Sequence, residues 1–164
     1  MTVVADASPL IFLGKIGQLD LIPFLFHGTV WVPASVRDEI LAPPISPAES
    51  RMLRAFLDRC EIVKVTHPTR FSPAMSHADN DALTLALRKR ADLLLTDERL
   101  MRDMAVIERI RPIGTLGILL RALRKGLLSA EETRQHIDAL IRDHRFRIGI
   151  ALYETVLAHL AGGK

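Results

Sequence analysis

Short apolar runs alternate with longer stretches of helical period along this chain, and that alternation restricts the fold more than any other feature. Such a pattern describes βα units, whose parallel strands are buried on both faces and so read as continuously apolar. The strand candidates are Val3 to Ala5, Val30 to Val32, Ile62 to Val65, Leu93 to Leu95 and a weak one at Ile110 to Ile113. Pro112 makes the last an edge strand or a very short one, because proline has no N–H to give to a central ladder.

Capping chemistry marks several helix starts: Ser8 with Pro9 at the first helical position, Ser46 with Pro47 and Glu49, and Ser129 followed three residues later by Glu132. The expected helices run Pro9 to Lys15, Leu19 to Leu25, Ala34 to Leu41, Ala48 to Arg59, Ala78 to Arg90, Glu98 to Ile107, Leu116 to Lys125, Ala130 to Asp143 and Ile148 to Leu160. The result is a mostly helical α/β sandwich. The segment after Gly126 is amphipathic, with Ile137, Leu140 and Ile141 on one face, and is expected to pack on the sheet or across a subunit boundary.

At 164 residues and 49% hydrophobic content the chain suits a single domain. Only 5% of residues are aromatic, which argues against an all-β sandwich or barrel. The loops at Pro43 to Pro47 and at His67 to Pro73 are too short to separate domains. Cys60 is the sole cysteine, which excludes an intrachain disulfide and a Cys-based zinc site and points to a reducing, cytoplasmic compartment. No apolar run approaches the roughly 18 residues of a membrane span, and the N-terminus does not read as a secretion signal. The net charge of +3 permits a nucleic-acid partner without demanding one.

The acids carry the functional signal. Asp6 directly follows the first strand, Asp97 directly follows the fourth, and Asp81 opens the helix before that fourth strand. In open α/β sheets the ligand crevice lies beyond the carboxyl ends of the strands. If strands one and four are neighbours, Asp6 and Asp97 share that crevice. Carboxylates held close together share a proton or bind a cation. An all-oxygen set without His or Cys favours a hard cation such as Mg²⁺, which can activate water and clamp a phosphate oxygen. The alternative is that an Asp after a strand caps a helix or forms a turn, as Asp97 would for the helix starting at Glu98.

The six histidines lack zinc spacing, and His77 before a helix reads as polar surface. Arg88, Lys89 and Arg90, with Arg99 and Arg102, form one basic stretch that can follow an RNA backbone; Arg142, Arg145 and Arg147 form a second. Solvated helix face is the ordinary reading of both. Aromatic stacking platforms are scarce, and Trp31 is expected in the core.

Val4-Ala5-Asp6-Ala7-Ser8-Pro9-Leu10-Ile11 resembles the opening strand and helix of PIN-domain proteins. The resemblance continues through Val30-Trp31-Val32-Pro33-Ala34-Ser35-Val36-Arg37-Asp38-Glu39, then Asp79-Asn80-Asp81-Ala82-Leu83-Thr84-Leu85-Ala86, then Leu93-Leu94-Leu95-Thr96-Asp97. Gly114-Thr115-Leu116-Gly117-Ile118-Leu119 and the Phe146 to Leu157 segment with Tyr153 are similar to the bacterial and archaeal branch that resembles toxin nucleases.

The resemblance implies a three-layer α/β/α fold over residues 1–164, with a short central parallel sheet of about five strands and residues 127–164 as a C-terminal helical extension. It implies a Mg²⁺- or Mn²⁺-dependent endoribonuclease whose acids correspond to Asp6, Glu39, Asp81 and Asp97, with 5′-phosphate and 3′-hydroxyl products. In this scheme Asp6 is the central metal ligand, Asp81 and Asp97 are direct or water-mediated ligands, and Glu39 is a further ligand or orients the attacking water. That branch commonly carries Gly-Glu where this chain has Ala78-Asp79, so Asp79 and Asp81 compete for the third ligand position. Ser8 and Thr96 are candidates to hold these carboxylates or a phosphate oxygen, and Arg99 and Arg102 to contact RNA. The implied partners are RNA, a small antitoxin and a second copy of the chain. The competing reading is a catalytically silent scaffold that binds RNA or protein. A phosphatase or receiver reading ranks last, because Asp6-Ala7-Ser8 lacks a second Asp and no Lys follows the fifth strand.

Overall fold

A computed structural model describes residues 1–162. The chain runs β1 (Thr2–Ala5), α1 (Ala7–Lys15), α2 (Leu21–Leu25), β2 (Thr29–Pro33), α3 (Ala34–Ile40), α4 (Pro47–Leu57) and β3 (Glu61–Val63). It continues through α5 (His77–Arg88), β4 (Leu93–Leu95), α6 (Arg99–Ile107), β5 (Arg111–Ile113), α7 (Thr115–Arg124), α8 (Ala130–Asp143) and α9 (Ile150–Ala161). All strand pairs are parallel, in the order β3-β2-β1-β4-β5. Helices cover both faces: α1, α2, α4 and α7 pack together, α5 and α6 pack together, and α3 bridges α1 and α5. The architecture is therefore the expected three-layer α/β/α sandwich.

The central strands show why apolar runs were the right signal. Val3, Val4, Ala5, Leu93, Leu94 and Leu95 are all fully buried, as only a strand covered on both faces can be. Pro112 lies in β5, an edge strand, where its missing N–H leaves no central ladder broken.

Two of the three expected caps form. Ser46 accepts a hydrogen bond from the Glu49 N–H, and Ser129 and Glu132 form a reciprocal capping box. Ser8 does not cap. Strand β1 runs into α1 without a loop, so Asp6 takes the cap position and the helix begins at Ala7. Ser8 instead accepts from the Asp97 backbone N–H at 3.2 Å. A capping box absent from the expected set joins Ser76 and Asp79 at the start of α5.

Helix α8 buries Ile137 and Leu140 as its periodicity requires, but chiefly against α7 and α9 rather than on the sheet. Trp31 is half-buried, packed against the core rather than inside it, and the Lys89 ammonium covers its ring 3.5 Å from the centroid.

Candidate active site

Strands β2 and β3 extend the sheet to one side of β1, while β4 and β5 extend it to the other. The strand order therefore reverses between β1 and β4, and the gap beyond their carboxyl ends is where such sheets bind ligands. Asp6 and Asp97 follow these two strands. The register pairs Ala5 with Leu95, and the Asp6 N–H donates to the Leu95 carbonyl at 2.9 Å. Thr96 is thereby set beside Asp6, and its hydroxyl donates to Asp6 Oδ2 at 3.0 Å.

Asp6 is buried, and its Oδ1 has no hydrogen-bond partner. A charged oxygen in that position is poorly compensated, because burial penalises the ionised form. The carboxyl is accordingly pushed up to about 7, chiefly by desolvation, with Asp79 and Glu39 adding repulsion while the Ala7 N–H and Thr96 oppose the shift. Glu39, on the exposed side of α3, is also raised: first by partial desolvation, then by Asp79 and Glu98. Asp6, Glu39 and Asp79 thus form one electrostatic cluster at the carboxyl end of the sheet.

Asp81 is held by a different set of partners. Two residues along a helix turn roughly 200° about its axis, so Asp79 and Asp81 present different faces. Asp81 is buried; its Oδ2 accepts from Ser35 Oγ at 2.6 Å and lies 3.4 Å from His77 Nε2. Its Oδ1 is buried without a partner. Asp79 closes the capping box by accepting from the Ser76 N–H at 2.9 Å. His77, though largely exposed, stands within reach of a candidate acid rather than being polar surface alone.

Asp97 caps a helix, but not the one after it. The N-cap of α6 is Glu98, which makes no side-chain cap bond. Asp97 reaches across to α7: Oδ1 accepts from the Thr115 N–H at 2.7 Å and Oδ2 from the Thr115 hydroxyl at 2.6 Å. Burial raises its carboxyl, against the lowering effects of Thr115 and Arg102. Gly114 makes room for this arrangement, since a Cβ there would stand 2.6 Å from Asp97 Oδ1. Ser35 and Thr115 therefore hold candidate acids that the sequence alone did not connect to them. The only pointer was their position in segments already singled out.

The expected RNA contacts divide. Arg99 is almost fully exposed and stands 4.0 Å from Asp103. Arg102 is half-buried near Asp97, with Nη1 3.4 Å from the Thr96 carbonyl.

The profile of the PIN-domain family matches residues 2–162. The chain belongs to the PIN-domain family. Among solved structures, a PilT N-terminus domain protein from the hyperthermophilic archaeon Sulfolobus solfataricus P2 superposes with a TM-score of 0.57. That match covers 75% of this chain and 94% of the other at 15% identity, a likeness of fold alone. No curated protein matches the chain. The PIN domain is a nuclease-type fold that typically uses divalent metal ions and acts on nucleic acid. No helix of this PIN domain, among the described residues, is long and apolar enough to cross a membrane.

The residues fit such an ion in donor chemistry. The acids offer only oxygen, and two carboxylate oxygens, Asp6 Oδ1 and Asp81 Oδ1, are buried without a partner. Among the described residues no three His, Cys, Asp or Glu side chains stand close enough to enclose an ion by themselves. Mg²⁺ does not require such a cage, since it keeps several waters and is commonly held through one or two carboxylates.

Proposed function

We propose that this PIN-domain protein is a metal-dependent endoribonuclease, hydrolysing RNA phosphodiester bonds at the acids beyond β1 and β4. The observation that carries the reading is Asp6: a buried carboxylate with an orphaned oxygen, repelled by Asp79 and Glu39, at the point where the strand order reverses. Repulsion of this kind is relieved by a proton or a cation.

In this reading Asp6 is the central ligand of Mg²⁺ or Mn²⁺, and Asp79 takes the third acidic position, favoured over Asp81 by its electrostatic contact with Asp6. Asp81 and Asp97 serve as further or water-mediated ligands. The ion, when bound, would lower the pKa of water and neutralise phosphate charge. The protein's own residues do the rest. Thr96 and Thr115 hold Asp6 and Asp97 in orientation. Glu39, with its raised carboxyl, is suited to take a proton from the attacking water. Arg102 offers positive charge beside Asp97, while Arg99, exposed on α6 beside Asp103, is placed to meet the RNA backbone farther out. Ser8, bonded to the Asp97 N–H, keeps the end of β4 against α1.

The same reading makes the protein the toxin of a toxin-antitoxin pair, acting in the cytoplasm and bound there by a small antitoxin. A second copy of the chain is the other proposed partner. The expected C-terminal extension, 127–164, is read as part of the single domain over its described residues 127–162, supported by the packing of α8 on α7; its last two residues lie outside the described ones.

The test is cleavage of a labelled single-stranded RNA by metal-stripped protein with Mn²⁺, Mg²⁺ or EDTA. Wild type is expected to cut only with metal, and Asp6→Asn and Asp97→Asn to lose at least a hundredfold in rate, on the order of two to three kcal/mol of transition-state stabilisation, with unchanged circular dichroism. Wild type that cuts nothing under any condition would establish the silent scaffold. Folded variants that keep their rate would remove these acids from the mechanism.

A further inference from the structure

A cavity of about 650 Å³ opens beside Asp97, between the start of α7 and the loop joining α8 to α9. Its size lies within the usual range for small-molecule sites. Phe12, Leu116, Leu120 and Leu152 supply apolar wall. Arg102, Arg145 and Arg147 supply three guanidinium groups, and Asp97 and Glu98 mark the side toward the acidic centre. Phe146 is buried and packs edge to face on Phe12, with ring centroids 4.9 Å apart, which ties the loop carrying both outer arginines to α1.

Some arginines of the chain already have a carboxylate beside them. Arg99 stands by Asp103, Arg134 by Asp138 and Arg142 by Asp143. Arg145 and Arg147 form no salt bridge among the described residues, although they face a cavity whose other walls are largely apolar. Guanidinium groups suit phosphate oxygens, and an apolar wall suits the face of a base. The acids at the inner end repel a phosphate, so the anion belongs at the arginine end.

We infer that this cavity is a nucleotide subsite, in which Arg145 and Arg147 hold a backbone phosphate of single-stranded RNA while the wall of Phe12, Leu116 and Leu152 receives the attached base. The inference rests on the nuclease reading, since it places that nucleotide next to the bond to be cut. It also gives a role to the second basic stretch of the sequence.

Arg145 provides a discriminating variant. It lies just past the C-cap of α8, with φ of 57°, and the following N–H donates to the Leu140 carbonyl. This is the position helices usually fill with glycine. Arg145→Gly therefore removes the guanidinium while easing the backbone, so weaker binding cannot be traced to unfolding.

Binding of a fluorescein-labelled single-stranded RNA is measured by anisotropy in EDTA, over a range of salt, for wild type, Arg145→Gly, Arg147→Ala and Leu152→Ala. Each arginine variant is expected to bind severalfold more weakly, with the slope of log affinity against log salt reduced by about 0.7 per lost phosphate contact. Leu152→Ala is expected to weaken binding with the slope unchanged, and Arg145→Gly to melt no lower than wild type. Wild type without measurable affinity, or arginine variants with wild-type affinity and slope, overturns the subsite. Because the assay needs no cleavage, RNA that is bound at this cavity but never cut would sustain the subsite and defeat the nuclease reading. Cleavage with unchanged KM in both arginine variants would do the reverse.

Discussion

Asp6 concentrates the residue-scale physics of this protein. Its carboxyl sits near 7 in the fold against an ordinary value of 3.8, so between those values the folded state holds a proton that the unfolded chain has released. Stability tied to that proton is fully present below about pH 4 and is lost as pH rises through 7. The shift corresponds to roughly 4 kcal/mol at most, at 1.36 kcal/mol per unit. Asp6→Asn, which carries no charge to bury, should match wild type near pH 4 and exceed it by a few kcal/mol at pH 8. Urea unfolding across that range measures the difference, and parallel pH curves for the two proteins would show that Asp6 is not strained. Glu39 and Asp97 are raised in the same direction, so each adds to the loss of stability as pH rises.

At the scale of elements, the start of α7 decides how Asp97 is held. Thr115 donates twice to the carboxylate, and Gly114 lets the two segments approach. In Gly114→Ala the added methyl would meet Asp97 Oδ1 at 2.6 Å and Arg102 Nη1 at 3.1 Å. The variant should lose about 1 to 3 kcal/mol, the usual range for overpacking, and should lose more in cleavage rate than that instability explains. Thermal melts and RNA cleavage on the same preparation test both parts; a fully stable and active variant would show that Asp97 tolerates displacement. The capping boxes of α5 and α8 show the complementary case, in which a Ser and an acid three residues on decide a helix start whatever surrounds them.

At the scale of the whole molecule, the fold leaves an apolar face open at α9. Helix α9 is apolar nearly all round, yet of its residues only Val156 is buried. Ile150 is 79% exposed and Leu157 36%, while Tyr153 fastens the helix to Asp138 of α8 at 3.2 Å. A helix apolar on every side belongs in an interior, and exposed patches of this kind mark association surfaces. The proposed second copy is the partner this face suits. Wild type should sediment as a dimer, and the double variant Ile150→Glu with Leu157→Glu as a folded monomer. A wild type that stays monomeric at high concentration would leave the dimer without support.

The strands, their parallel pairing and the placing of acids beyond them were legible in the sequence, because burial on both faces leaves a continuous apolar run and because a residue just after a strand can lie nowhere but at its end. Local capping at Ser46 and Ser129 was legible for the same reason of short range. What the sequence left open was decided in the tertiary structure: that Ser35 holds Asp81, that Ser8 turns to Asp97 instead of capping, and that Asp97 caps α7 across a sheet edge. Helical period fixes the angle between two side chains on one helix, but not which of them faces a neighbour. That depends on how α3, α5 and α7 settle against the sheet, and only packing determines it.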